Sequence, residues 1–227
     1  FSAQDSGTLS IATTHTQARY VLPHAVAKLR SSYPKVHISL HQATPHEVAR
    51  MVLDEQAEIG MATESLADYP DLVTLPCYEW EHVLVVPPSH PLATKERIGL
   101  DDLAIEPLIT YHPSFTGRNK IDAAFAVRQL HPRVVLEAID SDVIKTYVRL
   151  GLGVGIVAEM AMREDPGVDL VARPLGHLFG QSVARVAFKR GAYLRNFVYK
   201  FAETLSDRLS RDLIIRAMQG EPSDYSL

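Results

Sequence analysis

Four short polar turns carry the side chains of this sequence best suited to binding. Thr13-Thr14-His15-Thr16-Gln17 follows an alternating apolar segment and opens a helical one, and Thr63-Glu64-Ser65 closes another apolar run. Ser114-Phe115-Thr116-Gly117-Arg118 and Asp140-Ser141-Asp142 each precede a helical pattern, with Gly117 letting backbone come close to a ligand. Hydroxyls, a primary amide and the backbone N–H groups of a first helical turn all donate hydrogen bonds, and the positive end of a helix favours an anion. The chemistry this suits is capture of a small oxyanion. Sulfate near neutral pH only accepts hydrogen bonds and fits a pocket made of donors. Phosphate retains a proton in part and calls for an acceptor, which Glu64 or Asp142 could supply. The plainer account is that Ser, Thr and Asp at such positions cap helices. Several of these turns meeting around one cleft would raise the odds of an anion site.

Other patterns carry less. Gly151-Leu152-Gly153-Val154-Gly155 has the glycine density of a dinucleotide fingerprint, but the order is helix, glycines, strand and not strand, glycines, helix. These glycines read as a helix end packed tightly into a strand. No GxxxxGK[ST] phosphate loop, GxSxG elbow or paired-carboxylate motif is present, so no catalytic residue is assigned. Ten histidines invite a metal reading, yet His24, His37, His41 and His46 form no i, i+4 pair on one helix. They read as solvated side chains, and no metal is expected. Cys77, the one cysteine, excludes an internal disulfide and reads as a small buried residue.

The elements that would position the turns alternate regularly. Leu9 and Ile11 mark a strand, and Ala18, Val21, Leu22, Ala25, Val26 and Leu29 form one helical stripe ending at Tyr33-Pro34. Val36, Ile38 and Leu40 alternate as a second strand. Thr44-Pro45-His46-Glu47 is a capping box that opens a helix through Val48, Met51 and Val52, and a third strand follows in Glu58–Thr63. Strand, helix, strand, helix, strand predicts a parallel sheet covered by helices. The pattern restarts at Trp80, with strands in HVLVVP, PLITY, VVLEAI and GVGIV and helices near 119–130 and 142–150. Asp165-Pro166-Gly167 breaks the chain, SVARVAFKR is another strand, and a last helix carries the stripe Leu194, Phe197, Val198, Phe201, Leu205 and Leu209.

The expected fold class is therefore α/β: two Rossmann-like halves with the chain crossing between them twice, near 78–84 and 175–182. The boundaries expected are 1–80 plus 181–215 for one subdomain, 81–180 for the other, and a loose polar tail over 216–227. A length of 227 residues, 46 % hydrophobic and 22 % charged, is ordinary for a globular protein and excludes disorder, collagen and coiled coil. No apolar run reaches the roughly 20 residues of a membrane helix. The net charge of −4 argues against this chain itself gripping a phosphate backbone. The first residue is Phe1 and not methionine, so an upstream segment, either a signal peptide or another domain, is expected.

Three segments, ATTHTQARYVLP (12–23), FTGR (115–118) and DSDVIKTYVRLGLGVGIVAE (140–159), resemble the effector-binding region of LysR-type transcriptional regulators. The similarity extends over roughly residues 7–205 and is nearest to the branch that controls sulfur assimilation, that of CysB and Cbl. The resemblance implies two α/β subdomains of periplasmic-binding-protein type II joined by two crossover strands. It implies a DNA-binding winged helix-turn-helix N-terminal to this chain and absent from it, a cytoplasmic protein, and a homodimer or homotetramer. Thr14, Thr16, Gln17, Thr63 and Thr116 match the family's ligand-contacting positions. The implied effector, held between the halves, is sulfate, N- or O-acetylserine, or adenosine phosphosulfate. By that resemblance, ligand would favour one hinge angle and so alter how protomers pack on DNA. One departure lies in DEQAEIGMA (54–62), where Gln56 or Ala57 stands in place of a glycine many such domains have. It bears on how the preceding helix ends. The rival reading is a periplasmic solute-binding protein for a small oxyanion, and a transferase or lyase of the same fold comes third.

Overall fold

The first helical stripe does not run unbroken. In the computed structural model, which describes residues 5–163 and 169–221, β1 (Ser6–Thr13) leads into α1 (His15–Tyr20) and then, after a break, into α2 (Pro23–Ser32). Pro23 has no N–H to continue the ladder. The N–H groups of Val21 and Leu22 both close on the Gln17 carbonyl, at 3.0 and 2.9 Å, and a new helix starts with proline at its first position. The single helix expected over this stretch is thus two, and α1 is only six residues long. Leu22, Ala25 and Leu29 still share one buried stripe.

β2 (Lys35–Gln42) pairs parallel with β1, Ser6 opposite Lys35 and Thr13 opposite Gln42. α3 (Pro45–Leu53) starts as its capping box requires: the Thr44 hydroxyl accepts from the Glu47 N–H at 3.4 Å. The Glu47 carboxylate takes the Thr44 hydroxyl proton at 2.9 Å. β3 (Ile59–Ala62) pairs parallel with β1 on its other side. The fifteen-residue β4 (Leu72–Val86) then carries the chain out of the first compact unit, whose described residues run up to Glu79 and resume at Val183.

The second unit, Trp80–Ser182, continues with α4 (Leu100–Ala104), β5 (Pro107–Tyr111), α5 (Thr116–Val127), β6 (Arg133–Ala138), α6 (Ser141–Arg149), β7 (Val154–Ala158), β8 (Val171–Pro174) and α7 (Gly176–Phe179). β5 is parallel to both β6 and β7, whereas β4 is antiparallel to β7 and β8. Its core packs Leu84, Leu108, Ile121, Phe125, Ile156 and Phe179. The strand β8 and the short helices α4 and α7 have no counterpart in the sequence reading. The expected break at Asp165-Pro166-Gly167 lies outside the described residues.

The chain returns through β9 (Gln181–Lys189), which pairs antiparallel with β3, so the first sheet is parallel only over β2, β1 and β3. Ala12, Val48, Val52, Leu66, Leu72 and Ala187 form its core. α8 (Asn196–Leu205) stops short of the expected Leu209, because Ser206 is extended and a further helix, α9 (Arg211–Met218), begins with the Ser210 hydroxyl accepting from Leu213 N–H at 3.1 Å. Ile214 and Ala217 are buried, so packed structure reaches past residue 215 into the segment expected as a tail. Residues 222–227 of that segment lie outside the described residues.

Candidate functional site

The parallel register brings two of the polar turns to one place. Thr13 lies opposite Met61, so Thr14 and Thr63 leave the carboxyl ends of adjacent strands, where open α/β sheets put their ligands. Thr14, Thr16, Gln17 and Thr63 are all buried. Thr14 occupies the N-cap position of α1 in extended conformation, but its side chain makes no capping bond. Its carbonyl receives the Ala18 N–H at 3.1 Å and the Thr13 hydroxyl at 3.3 Å. Capping therefore does not explain this threonine, and α1 is too short for its dipole to do much.

Gln17 is 2 % exposed, and the Tyr78 hydroxyl donates to its Oε1. With its acceptor end occupied, the amide offers its NH2 group, so the residue behaves as a donor. Thr63 precedes a 3-10 turn over Glu64–Asp68 without capping it, and its hydroxyl lies 3.3 Å from that of Ser65. Glu64, a possible acceptor on sequence grounds, takes the Val183 N–H at 3.2 Å and faces the charge of Arg185. Burial lowers the Arg185 pKa, and Glu64 works against that.

In the second unit Thr116 is the first residue of α5, half-buried, and the preceding Phe115 provides no side-chain cap. Arg118 is not held for an anion: it bonds Asp122 at 2.9 Å, the Tyr111 carbonyl at 2.9 Å and Glu137 at 3.1 Å. Burial opposes its charge, but the two carboxylates hold its pKa above the ordinary arginine value. The Asp140 turn is a structural lock. Asp140 caps α6 by accepting from Asp142 and Val143 N–H at 2.7 and 3.1 Å. The Tyr111 hydroxyl accepts from Ala158 N–H at 2.9 Å and lies 2.6 Å from the Ser141 hydroxyl. Lys145, 1 % exposed, donates to the Ala161 carbonyl at 2.8 Å and pairs with Asp142 at 3.2 Å. That pairing engages the other acceptor the sequence offered.

Two further buried polar side chains sit beside the α5 turn. The Trp80 indole Nε1 and both ring nitrogens of His82 have no hydrogen-bond partner among the described residues. The glycine and cysteine readings hold. Gly151, at φ 79°, ends α6 with its N–H on the Val148 carbonyl, while Leu152 N–H bonds that of Tyr147. Cys77 is buried, and burial pushes its thiol up to about 12. His41 lies 3.1 Å from the Ser39 hydroxyl and His46 lies 2.5 Å from that of Tyr69, while His24 and His37 are exposed.

A family model described as the LysR substrate binding domain matches residues 2–210. The chain belongs to this family. Among relatives of this LysR-type domain is the HTH-type transcriptional regulator CysB of Burkholderia cenocepacia, 54 % identical over 227 residues, covering the whole chain and 72 % of that protein. The regulator SsuR of the same organism is 48 % identical over 210 residues, 92 % of the chain and 68 % of that protein. The Escherichia coli regulator cbl is 43 % identical over 230 residues, all of the chain and 73 % of that protein. These relatives are named as transcriptional regulators and not as enzymes. The crystal structure of the cofactor-binding domain of the Cbl regulator superposes with a TM-score of 0.90 at 44 % identity, covering 95 % of each chain. The fold is the two-subdomain, periplasmic-binding-protein-like α/β fold of LysR substrate-binding domains.

Of the five residues expected to bind ligand, the first unit collects Thr14, Thr16, Gln17 and Thr63 in buried turns, and Thr116 stands alone in the second. The sequence reading missed Tyr78, Trp80 and His82. All three lie in β4, where an apolar strand pattern hides polar side chains; the lone tryptophan and a histidine inside a buried run were the available signals.

Proposed function

We propose that this LysR-type domain is the effector-binding part of a cytoplasmic transcriptional regulator of sulfur assimilation, serving cysteine biosynthesis or sulfonate use. Its effector is sulfate, N- or O-acetylserine, or adenosine phosphosulfate. Thr14, Thr16, Gln17 and Thr63 donate to it, and Thr116 is the second unit's contribution. DNA would be bound by a winged helix-turn-helix outside this chain, in a homodimer or homotetramer. The kinship with CysB, SsuR and Cbl supports the sulfur assignment, and it disfavours the periplasmic alternative. The observation that carries the ligand class is Gln17. A buried amide whose oxygen already accepts from Tyr78, next to a threonine that caps nothing, makes a donor-rich surface suited to an oxyanion or carboxylate group.

Thermal unfolding in sulfate-free buffer tests this against sulfate, thiosulfate, phosphate, N-acetylserine, O-acetylserine and adenosine phosphosulfate. A ligand at 100 times its dissociation constant adds about 2.7 kcal/mol, expected to raise the midpoint by roughly 5–10 °C for a chain of this size. A shift with sulfate or an acetylserine but not phosphate supports a cysteine-pathway sensor, and a shift with the adenosine compound alone supports the sulfonate branch. No shift with any of them refutes the ligand assignment.

A further inference from the structure

His82 is fully buried in β4 of the second unit, and both of its ring nitrogens lack a hydrogen-bond partner among the described residues. Its ring meets Trp80 edge-on with centroids 4.8 Å apart, and Phe179 covers it from another side at 6.0 Å. The Nε2 edge faces the first turn of α5: a β-carbon built on Gly117 would stand 2.8 Å from it. Burial, reinforced by the Lys120 charge, keeps the imidazole neutral, so it carries one N–H donor and one bare nitrogen. A leucine would fill such an apolar pocket without leaving buried polar atoms unmatched, and retaining them is destabilising. α5 is twelve residues long and begins with Thr116; its N-cap residue Phe115 gives no side-chain cap, the Arg118 N–H closes on the Phe115 carbonyl at 3.1 Å, and the positive end of the helix favours an anion.

We propose that His82 is a specificity-determining residue of the second unit, its Nε2–H donating to an oxyanion seated at the first turn of α5 beside Thr116. The inference rests on the reading of this domain as an oxyanion-effector binder. The group recognised is a sulfate, either free or carried by a larger effector such as adenosine phosphosulfate. Gly117 belongs to the same device, since a side chain there would press on the ring that must reach the anion.

Calorimetric titration of the whole chain with sulfate and with adenosine phosphosulfate, in wild type, His82→Leu and His82→Gln, tests this. For whichever ligand the wild type binds, leucine is expected to weaken binding at least tenfold while the ligand-free protein unfolds at the wild-type temperature or above it. Glutamine, whose amide N–H can occupy the Nε2 position, is expected to restore most of the affinity. Wild-type affinity in His82→Leu overturns the role of His82 and leaves the effector reading intact. If the wild type binds neither ligand, this proposal falls, while the effector reading stands or falls separately on the acetylserines in the unfolding screen. Should His82→Leu fail to fold, ¹⁵N-histidine NMR of the wild type decides: the His82 ring resonance moves on saturation with the bound ligand, and an unmoved resonance overturns the proposal.

Discussion

Thr14 and His82 illustrate the same physical situation, a buried polar side chain that the fold itself does not use. At Thr14 the hydroxyl is spared from capping, and Thr14→Ala would take one donor from the proposed effector. The expected loss is about 1.5–3 kcal/mol, or roughly 10- to 150-fold in effector affinity by calorimetry. At His82 the consequence is a pH dependence. Burial first, and Lys120 second, lower its pKa from 6.5 to about 4. The unfolded chain therefore takes up a proton that the folded chain refuses. Stability is full above pH 6.5, declines as the pH falls from 6.5 towards 4, and flattens below that. At about 1.4 kcal/mol per pH unit the contribution lost is about 3 kcal/mol. Urea unfolding between pH 4 and 7 should show this slope in wild type and lose it in His82→Leu; the same slope in both would place the proton elsewhere.

Helix ends separate what the sequence made legible from what it hid. Three helices stop with the same pair of hydrogen bonds across a left-handed residue: α3 at Glu55 with φ 60°, α5 at Gln129 with φ 55°, and α6 at Gly151. The glycine was readable as a stop. The other two were not, because Glu and Gln carry no turn signal and are held left-handed by the hydrogen bonds that close the helix. The departure noted in DEQAEIGMA thus does concern the end of α3, but the residue under strain is Glu55 itself. Left-handed geometry costs a residue with a β-carbon roughly 1–2 kcal/mol, and an exposed ion pair such as Glu55–Lys189 at 3.3 Å returns at most about 1. Glu55→Gly and Gln129→Gly should each raise stability by about 0.5–1 kcal/mol in denaturant melts; a loss in either would show that the side chain matters more than the backbone. Strands and long helices were legible through their apolar spacing. The split at Pro23 and the strand β8 were not: the first keeps the same stripe on both sides of the break, and the second is too short to show a period; α9 was passed over as part of the C-terminal end. At the site, hydroxyl-rich turns could be read because they fall at element boundaries. Tyr78 could not, because only the fold brings it to Gln17, 61 residues away in sequence.

The two units differ in how the chain builds them. The second is one continuous stretch, Trp80–Ser182, with its own core and a complete set of strand partners apart from its edges. A fragment of residues 80–182 is therefore expected to fold alone, with a cooperative melt and dispersed NMR amide signals; a molten spectrum would show that the division into units overstates its independence. The first unit is assembled from the two ends of the sequence, β9 closing against β3 through Gly60–Ala187, Met61–Val186 and Ala62–Arg185.

That interruption sets an order of events during synthesis. The β1–β2–β3 portion leaves the ribosome more than a hundred residues before β9, and during that interval the buried strand Ile59–Ala62 presents an unpaired apolar edge. A chain terminated anywhere between Ala62 and Val183 would leave that edge permanently open. Premature termination there would thus yield a sticky nascent chain and not a harmless half-protein, which makes the arrival of β9 the point at which the cell learns whether a copy is usable.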